Sequence, residues 1–261
     1  MAIIALKAWY LREYEPIKEL EKRPHDLRLS RNSLLKSGLR ADFLDDIDEV
    51  SQSEWFQRYL QGDLIEFYIE GSGGYTIANI DLRSHEIYFA KQEVMAHLEP
   101  IIYFCYQIEF PDSSELLRDE LQSVIEKLNQ KSRLPIALKE SHRLTDGPVR
   151  LDSTLMRSLR QSLLFVADTT AIAPNPAIPN QVLLSPTVCV EVGYALHSKR
   201  SEQILVAQME RPDLPGQFPL DLPSQQRLPF KDKTQLHKTL PALVEAQLQR
   251  FNLFSREVQL S

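Results

Sequence analysis

The rhythm of apolar and polar positions changes near residue 100. Before that point the clearest stretch is "DLIEFYIEGSGGYTIANIDLRSHEIYFA" (63–90), where apolar and polar residues alternate across two or three segments broken by glycines. A period of two sends successive side chains to opposite faces of a strand, so this stretch predicts antiparallel hairpins. "GSGG" (71–74) leads into "YTIANI", a second strand, whereas a phosphate-cradling loop leads into a helix. It reads as a turn. "AIIALKAWYL" (2–11) predicts a further strand, and "SEWFQRYLQG" (53–62) a short amphipathic helix capped by Ser53.

Beyond residue 100 the grammar is different. "PIIYFCYQ" (100–107) and "LLFVADTT" (163–170) are nearly continuous apolar runs, as expected of strands covered on both faces. In "DSSELLRDELQSVIEKLNQ" (112–130), Leu116, Leu117, Leu121, Val124, Ile125 and Leu128 recur at helical spacing. Asp112 and the serines are the expected cap there, with Glu115 as a capping-box partner. "LPIALKES" (134–141) reads as a strand, "DSTLMRSLRQS" (152–162) and "SPTVCVEVGYALHSKR" (185–200) as helices, and "QILVAQ" (203–208) as a strand. "QRLPF" (226–230) is the best candidate for a short last strand. The closing helix is "KTQLHKTLPALVEAQLQRF" (233–251), in which Pro241 predicts a kink or a break.

Alternating strands and helices predict an α/β fold, a parallel sheet of about five strands with helices on both faces. Right-handed crossovers restrict its topology to flavodoxin-like or similar strand orders. The expected organisation is a smaller α+β domain with antiparallel hairpins over residues 1–97 and an α/β domain over 98–261. The boundary falls near residues 96–100, with no glycine-serine linker to mark it.

Composition narrows the classes of function. The chain is 43% hydrophobic and 25% charged, with a net charge of −6 and its basic residues scattered among acids. Nothing forms the basic footprint of a nucleic-acid binder, so no nucleic-acid partner is expected. No stretch reaches the ~20 apolar residues of a membrane span. The start "MAIIALKAWYLREYE" lacks a basic segment followed by a cleavage site. The 2 cysteines, Cys105 and Cys189, sit in apolar runs and read as core thiols, and the 6 histidines show no metal-ligand spacing. The expectation is a soluble, cytoplasmic protein with no metal, no cofactor and no membrane partner.

Candidate chemistry concentrates where parallel sheets collect ligands, outside the carboxyl ends of the strands. Tyr106 and Gln107 follow the first strand of the second domain, Lys139 to His142 the second, and Asp168 to Thr170 the third. The helix 185–200 carries one carboxylate, Glu191, among apolar neighbours, with Ser185 as N-cap and Pro186 at the first helical position. On a helical wheel, Val188, Cys189, Val192, Ala195 and Leu196 share a broad face, and Glu191 lies at its edge between Ala195 and Tyr194. Gly193 is unfavourable inside a helix, which predicts close approach of another element. A carboxylate in such surroundings caps something, pairs with a cation, or faces a pocket, because alone and buried it is strongly disfavoured.

The run "LLFVADTT…SPTVCVEVGYALHSKRSEQILVAQ" resembles the signature of the TIR-like and nucleoside 2-deoxyribosyltransferase-like folds. In that group a strand ending in Asp is followed by a loop, then a "(N/S)P-N-V-x-x-E-x-G-Y-A" helix, then an apolar strand. "IIYFCYQ" with the acidic helix after it, and "FPLDLPSQQRLPFKDKTQLHKTL", are similar to the group's first strand and helix and its last strand and helix. The resemblance covers roughly residues 100–250. Thr187 stands where asparagine is common, and the loop "IAPNPAIPNQVLLSP" (172–186) is longer and richer in proline.

The resemblance implies action on N-glycosidic bonds through the helix glutamate. A TIR-like effector of defence or signalling cleaves NAD, a substrate and not a resident cofactor, with Glu191 stabilising the ribosyl cation. A deoxyribosyltransferase-like enzyme uses Glu191 as nucleophile. A third reading is a non-catalytic nucleotide-binding or assembly module in which Glu191 is structural. In the enzyme readings Glu191 is the catalytic residue and Tyr106, Gln107, Asp168, Ser185 and Tyr194 are the substrate-binding set, although Asp168 is equally a loop cap. The resemblance also implies self-association into a homo-oligomer, with the first domain taking an activating signal or partner.

Overall fold

The computed structural model describes residues 5–35, 38–91, 97–143 and 153–254, with the backbone alone for 31–35. The chain divides into two compact units, Met1–His97 and Leu98–Ser261.

The first unit holds β1 (Ala5–Tyr10), α1 (Ile17–Leu20), β2 (Leu27–Leu35), β3 (Gly38–Phe43), α2 (Ile47–Gln52), α3 (Glu54–Leu60), β4 (Glu66–Ile69), β5 (Gly73–Asp81) and β6 (Glu86–Lys91). Its strands are antiparallel and close into a barrel in the order β1-β2-β3-β6-β5-β4. Closure leaves no unpaired sheet edge. The expected strand 2–11 appears as β1, residues 2–4 lying outside the described ones, and 63–90 forms β4, β5 and β6. The glycine run is the turn between β4 and β5, with Gly71 and Gly73 at positive φ (68° and 106°). Ser53 caps α3, its hydroxyl accepting from the Phe56 amide at 3.3 Å.

Two strands, β2 and β3, have no counterpart among the expected elements. Their outward positions carry Arg28, Arg40 and Asp42, so the segments resemble loops in composition. Their inward positions nevertheless alternate: Leu27, Leu29, Leu39, Ala41 and Phe43 are all buried. They meet Ala8, Phe67, Ile87 and Phe89 in the barrel core, onto which Trp55 and Phe56 of α3 also pack.

The second unit holds β7 (Glu99–Cys105), α4 (Pro111–Asn129), β8 (Ala137–Glu140), α5 (Ser153–Gln161), β9 (Ser162–Asp168), the two-residue strands β10 (Ala173–Pro174) and β11 (Val182–Leu183), α6 (Pro186–Ser198), β12 (Ile204–Met209), β13 (Arg227–Phe230) and α7 (Lys233–Gln249). Asp152, expected at the start of α5, lies outside the described residues. Five strands form one parallel sheet in the order β13-β12-β9-β7-β8, as the α/β reading expects. Helices α4 and α7 pack together on one face, and α5 and α6 on the other.

Strand pleating sorts the core between the faces. Tyr103, Cys105, Phe165, Ala167, Ile204 and Val206 point at α5 and α6, where Leu159, Val188, Val192 and Ala195 meet them. Pro241 does not end α7, which runs through it from Lys233 to Gln249. Its buried residues Leu236, Leu240, Val244 and Leu248 keep a four-residue step across the proline. Packing along that stripe holds the helix where the lost backbone hydrogen bond alone favours a break.

Candidate functional site

Two polar clusters lie at the carboxyl ends of β7 and β9, on opposite faces of the sheet. The first is built on α6. Val188, Glu191, Val192 and Ala195 are its buried residues, at helical spacing i, i+3, i+4 and i+7. Glu191 lies at one edge of that buried stripe, beside Ala195, as the helical wheel places it, whereas Cys189 and Leu196, expected to share the face, are exposed. Leu196 is 42% exposed. A Cβ added at Gly193 meets nothing within 4 Å, so no element among the described residues approaches it.

Glu191 is ion-paired. Its side chain is 0% exposed, and Oε1 accepts from Nη1 of Arg143, whose own side chain is 3% exposed. Arg143 belongs to the loop after β8, one residue beyond the strand-end segment singled out in the sequence. Its Nε donates to the Tyr106 carbonyl at 3.0 Å, its Nη2 lies 3.4 Å from Cys105 Sγ, and its guanidinium sits 5.4 Å from the Tyr106 ring centroid. Beneath the carboxylate stands Tyr103. The Tyr103 hydroxyl and Oε2 of Glu191 are both buried without a hydrogen-bond partner among the described residues. The two groups nonetheless feel each other: the Tyr103 pKa is raised by burial first and then by the charge of Glu191.

The electrostatics follow from that seat. Burial pushes the Cys105 thiol well up, Glu191 pushes it further, and Arg143 opposes both, so Cys105 is an inert neutral thiol. Burial works against the charge of Arg143, but the charge of Glu191 and its hydrogen bond oppose that, and the Arg143 pKa is raised. The arrangement is an ionised pair in an apolar layer between α6 and the sheet.

The second cluster centres on Asp168 and faces α4. Oδ2 accepts from the hydroxyls of Ser113 (2.5 Å) and Ser114 (2.6 Å), and Oδ1 from the Thr170 amide (3.0 Å). The serines expected to cap α4 thus serve Asp168 instead, and Asp112 makes no cap: the N-cap position is Phe110, with no side-chain hydrogen bond. Tertiary pairing to a buried carboxylate wins over a local cap that water can replace. Gln107 joins this cluster, its Nε2 donating to the Thr170 carbonyl at 3.0 Å and its amide to Ser114 Oγ at 3.1 Å. Its Oε1 is buried and unpartnered among the described residues.

The sequence-derived set is therefore divided. Tyr106 contacts the Glu191 cluster through Arg143, while Gln107 and Asp168 belong to the opposite face. Ser185 occupies the N-cap position of α6, but its hydroxyl donates to Glu109 Oε1 at 2.9 Å and lies 3.0 Å from Thr187 Oγ1 instead of capping the helix. Tyr194 packs half-buried against the apolar core under α6. Arg143 and Tyr103 were not singled out from the sequence. The signal for Arg143 was the buried carboxylate itself, which demands a cation, and the loop after β8 offered one.

Among the described residues no group of three or more His, Cys, Asp or Glu gathers as a metal site, and no helix is long and apolar enough to cross a membrane. No family model and no curated protein sequence matches the chain. Among solved structures it is similar to the metal-soaked Flv1 flavodiiron core from Synechocystis sp. PCC6803, with 13% identity and a TM-score of 0.33 over 58% of this chain. The chain spans 35% of that protein's length, and a likeness of this degree carries no argument about the site.

Proposed function

We propose that residues 98–261 form a flavodoxin-like, TIR-like domain that cleaves the N-glycosidic bond of NAD or a related nucleotide, with Glu191 stabilising the ribosyl cation. The strand order supports the fold label: numbered within the unit it is 2-1-3-4-5, and its switch point lies between β7 and β9. Tyr106, at the carboxyl end of β7, and the Glu191–Arg143 pair adjoin that switch point.

One observation carries the functional reading. A fully buried carboxylate, at the edge of an apolar helix face, is matched by one oxygen to a planar, delocalised cation, the Arg143 guanidinium. An oxocarbenium-like ribosyl group is also a planar, delocalised cation, and a carboxylate in a dry seat stabilises it strongly. In the reaction the ribosyl C–N bond breaks, its electron pair leaves on nicotinamide, and water adds hydroxide to the sugar carbon and releases a proton. The products are nicotinamide and ADP-ribose. Self-association and an activating signal received by the barrel unit complete this reading.

A second reading is favoured by the same pair. Both charges are buried and mutually satisfied, which suits a non-catalytic nucleotide-binding or assembly module in which the bridge is structural. Incubation of concentrated protein with NAD, and separately with mixed nucleosides, separates the readings by chromatography. Nicotinamide release that disappears in folded Glu191→Gln supports the NAD-cleaving enzyme. Base exchange among nucleosides alone points to a deoxyribosyltransferase, and no change in either mixture at any protein concentration overturns the enzyme reading.

A further inference from the structure

An electrophilic carbon has to come within about 3–3.5 Å of a carboxylate oxygen to be stabilised by it or attacked. Among the described residues Glu191 is 0% exposed, with Nη1 of Arg143 on Oε1 and Oε2 buried, so the carboxylate is closed while the pair holds. Opening it is the difficulty. Breaking a buried pair strands two charges in an apolar layer, which is strongly unfavourable unless each finds a new partner. The carboxylate finds one in the cation that forms on the sugar, and the guanidinium needs an anion.

Arg143 lies just inside the carboxyl end of the sheet, where ligands of such folds collect. Its Nε holds the carbonyl of Tyr106, past the carboxyl end of β7. The Tyr106 ring carries a second guanidinium, that of Arg118, 5.1 Å from its centroid. Arg118 is itself held by a carboxylate, Glu140, at 2.8 Å, and its side chain is 27% exposed. The Tyr106 ring thus carries two guanidiniums, each occupied by a carboxylate: Arg118, part-exposed, and Arg143, buried behind it at 3% exposure. The planar donor fork of arginine binds phosphate in two-point fashion as readily as it binds carboxylate.

We propose that Arg143 is a charge-exchange latch, releasing Glu191 only when a phosphate on the ligand takes its guanidinium, so that the site admits nucleotides and refuses nucleosides. The proposal rests on reading Glu191 as the carboxylate that meets the ribose. A phosphorylated ligand lets two ions swap partners, whereas a nucleoside opens the pair and offers the guanidinium nothing.

Calorimetric titration of the full chain with inorganic pyrophosphate tests the latch without turnover, because this probe has no ribose for Glu191 to touch. Glu191→Gln removes the charge that retains Arg143 and is expected to tighten pyrophosphate by about 10-fold or more. Arg143→Gln is expected to abolish that binding. The double variant, Arg143→Gln with Glu191→Gln, removes both charges together and replaces the single variant if that does not fold; it too is expected not to bind. Binding that is unchanged by Glu191→Gln, or that survives in the Arg143 variants, overturns the latch.

A second arm compares nicotinamide release from nicotinamide mononucleotide and from nicotinamide riboside. The wild type is expected to favour the mononucleotide by about 100-fold or more in kcat/KM, and Arg143→Gln to lose that preference. Equal use of both by the wild type, or a preference unchanged in Arg143→Gln, overturns the latch. If neither compound releases nicotinamide while the pyrophosphate coupling holds, the latch stands as a nucleotide-binding device and the glycosidic reading fails.

Discussion

Two buried carboxylates, Asp168 and Glu191, stand near the carboxyl end of β9 with opposite surroundings. Asp168 is held by neutral donors: the hydroxyls of the consecutive Ser113 and Ser114 and the backbone amide of Thr170. Among the described residues Glu191 is held by one cation, Arg143, and its second oxygen is buried beside the Tyr103 hydroxyl. A carboxylate satisfied on both oxygens by short, neutral hydrogen bonds has nothing left to offer a ligand, and it pins the start of α4 to the end of β9. A carboxylate satisfied by a single side-chain cation can exchange that partner for another. Burial alone does not separate structure from chemistry; the kind of partner does.

The comparison can be broken most readily at Arg143. Arg143→Met leaves Glu191 buried and uncompensated and is expected to cost about 3–5 kcal/mol in urea unfolding, whereas Arg143→Met combined with Glu191→Leu returns to near wild-type stability. A single variant as stable as wild type contradicts the buried pair. Asp168→Ala removes the acceptor for three donors and is expected to cost about 3 kcal/mol, measured the same way, with α4 losing hydrogen-exchange protection first at Ser113 and Ser114. Ser113→Ala removes one charge-assisted hydrogen bond and is expected to cost about 1.5 kcal/mol. Gly193→Ala is the smallest effect and has the opposite sign. With open space around the new Cβ, it is expected to stabilise by about 0.8–1 kcal/mol. A loss instead means that another molecule packs on that face of α6.

Much of the parallel unit was legible because its signals are local. Continuous apolar runs marked β7 and β9, the 3.6-residue period marked α4, and a proline after a serine marked the start of α6. The solitary glutamate of α6 was also legible as an anomaly. Its partner was not, because Arg143 lies 48 residues away in sequence and nothing in a loop arginine reveals which helix it meets. Asp168 was placed with Glu191 because both flank the end of β9. Pleating decides otherwise: residues 164, 166 and 168 face α4, and 165 and 167 face α6. The serines at 113 and 114 misled for a related reason, since the same hydroxyls serve equally as caps or as donors to a distant carboxylate. In the barrel, β2 and β3 were hidden by their charged outward residues, although the alternation Leu39, Ala41, Phe43 was there to be read.

The most direct test of the account is NAD turnover per folded molecule in concentrated wild type, Glu191→Gln and Asp168→Asn. The account predicts nicotinamide release by the wild type, loss of about 100-fold or more in Glu191→Gln, and unchanged release from the fraction of Asp168→Asn that remains folded. Equal release from wild type and Glu191→Gln, or selective loss in folded Asp168→Asn, contradicts it.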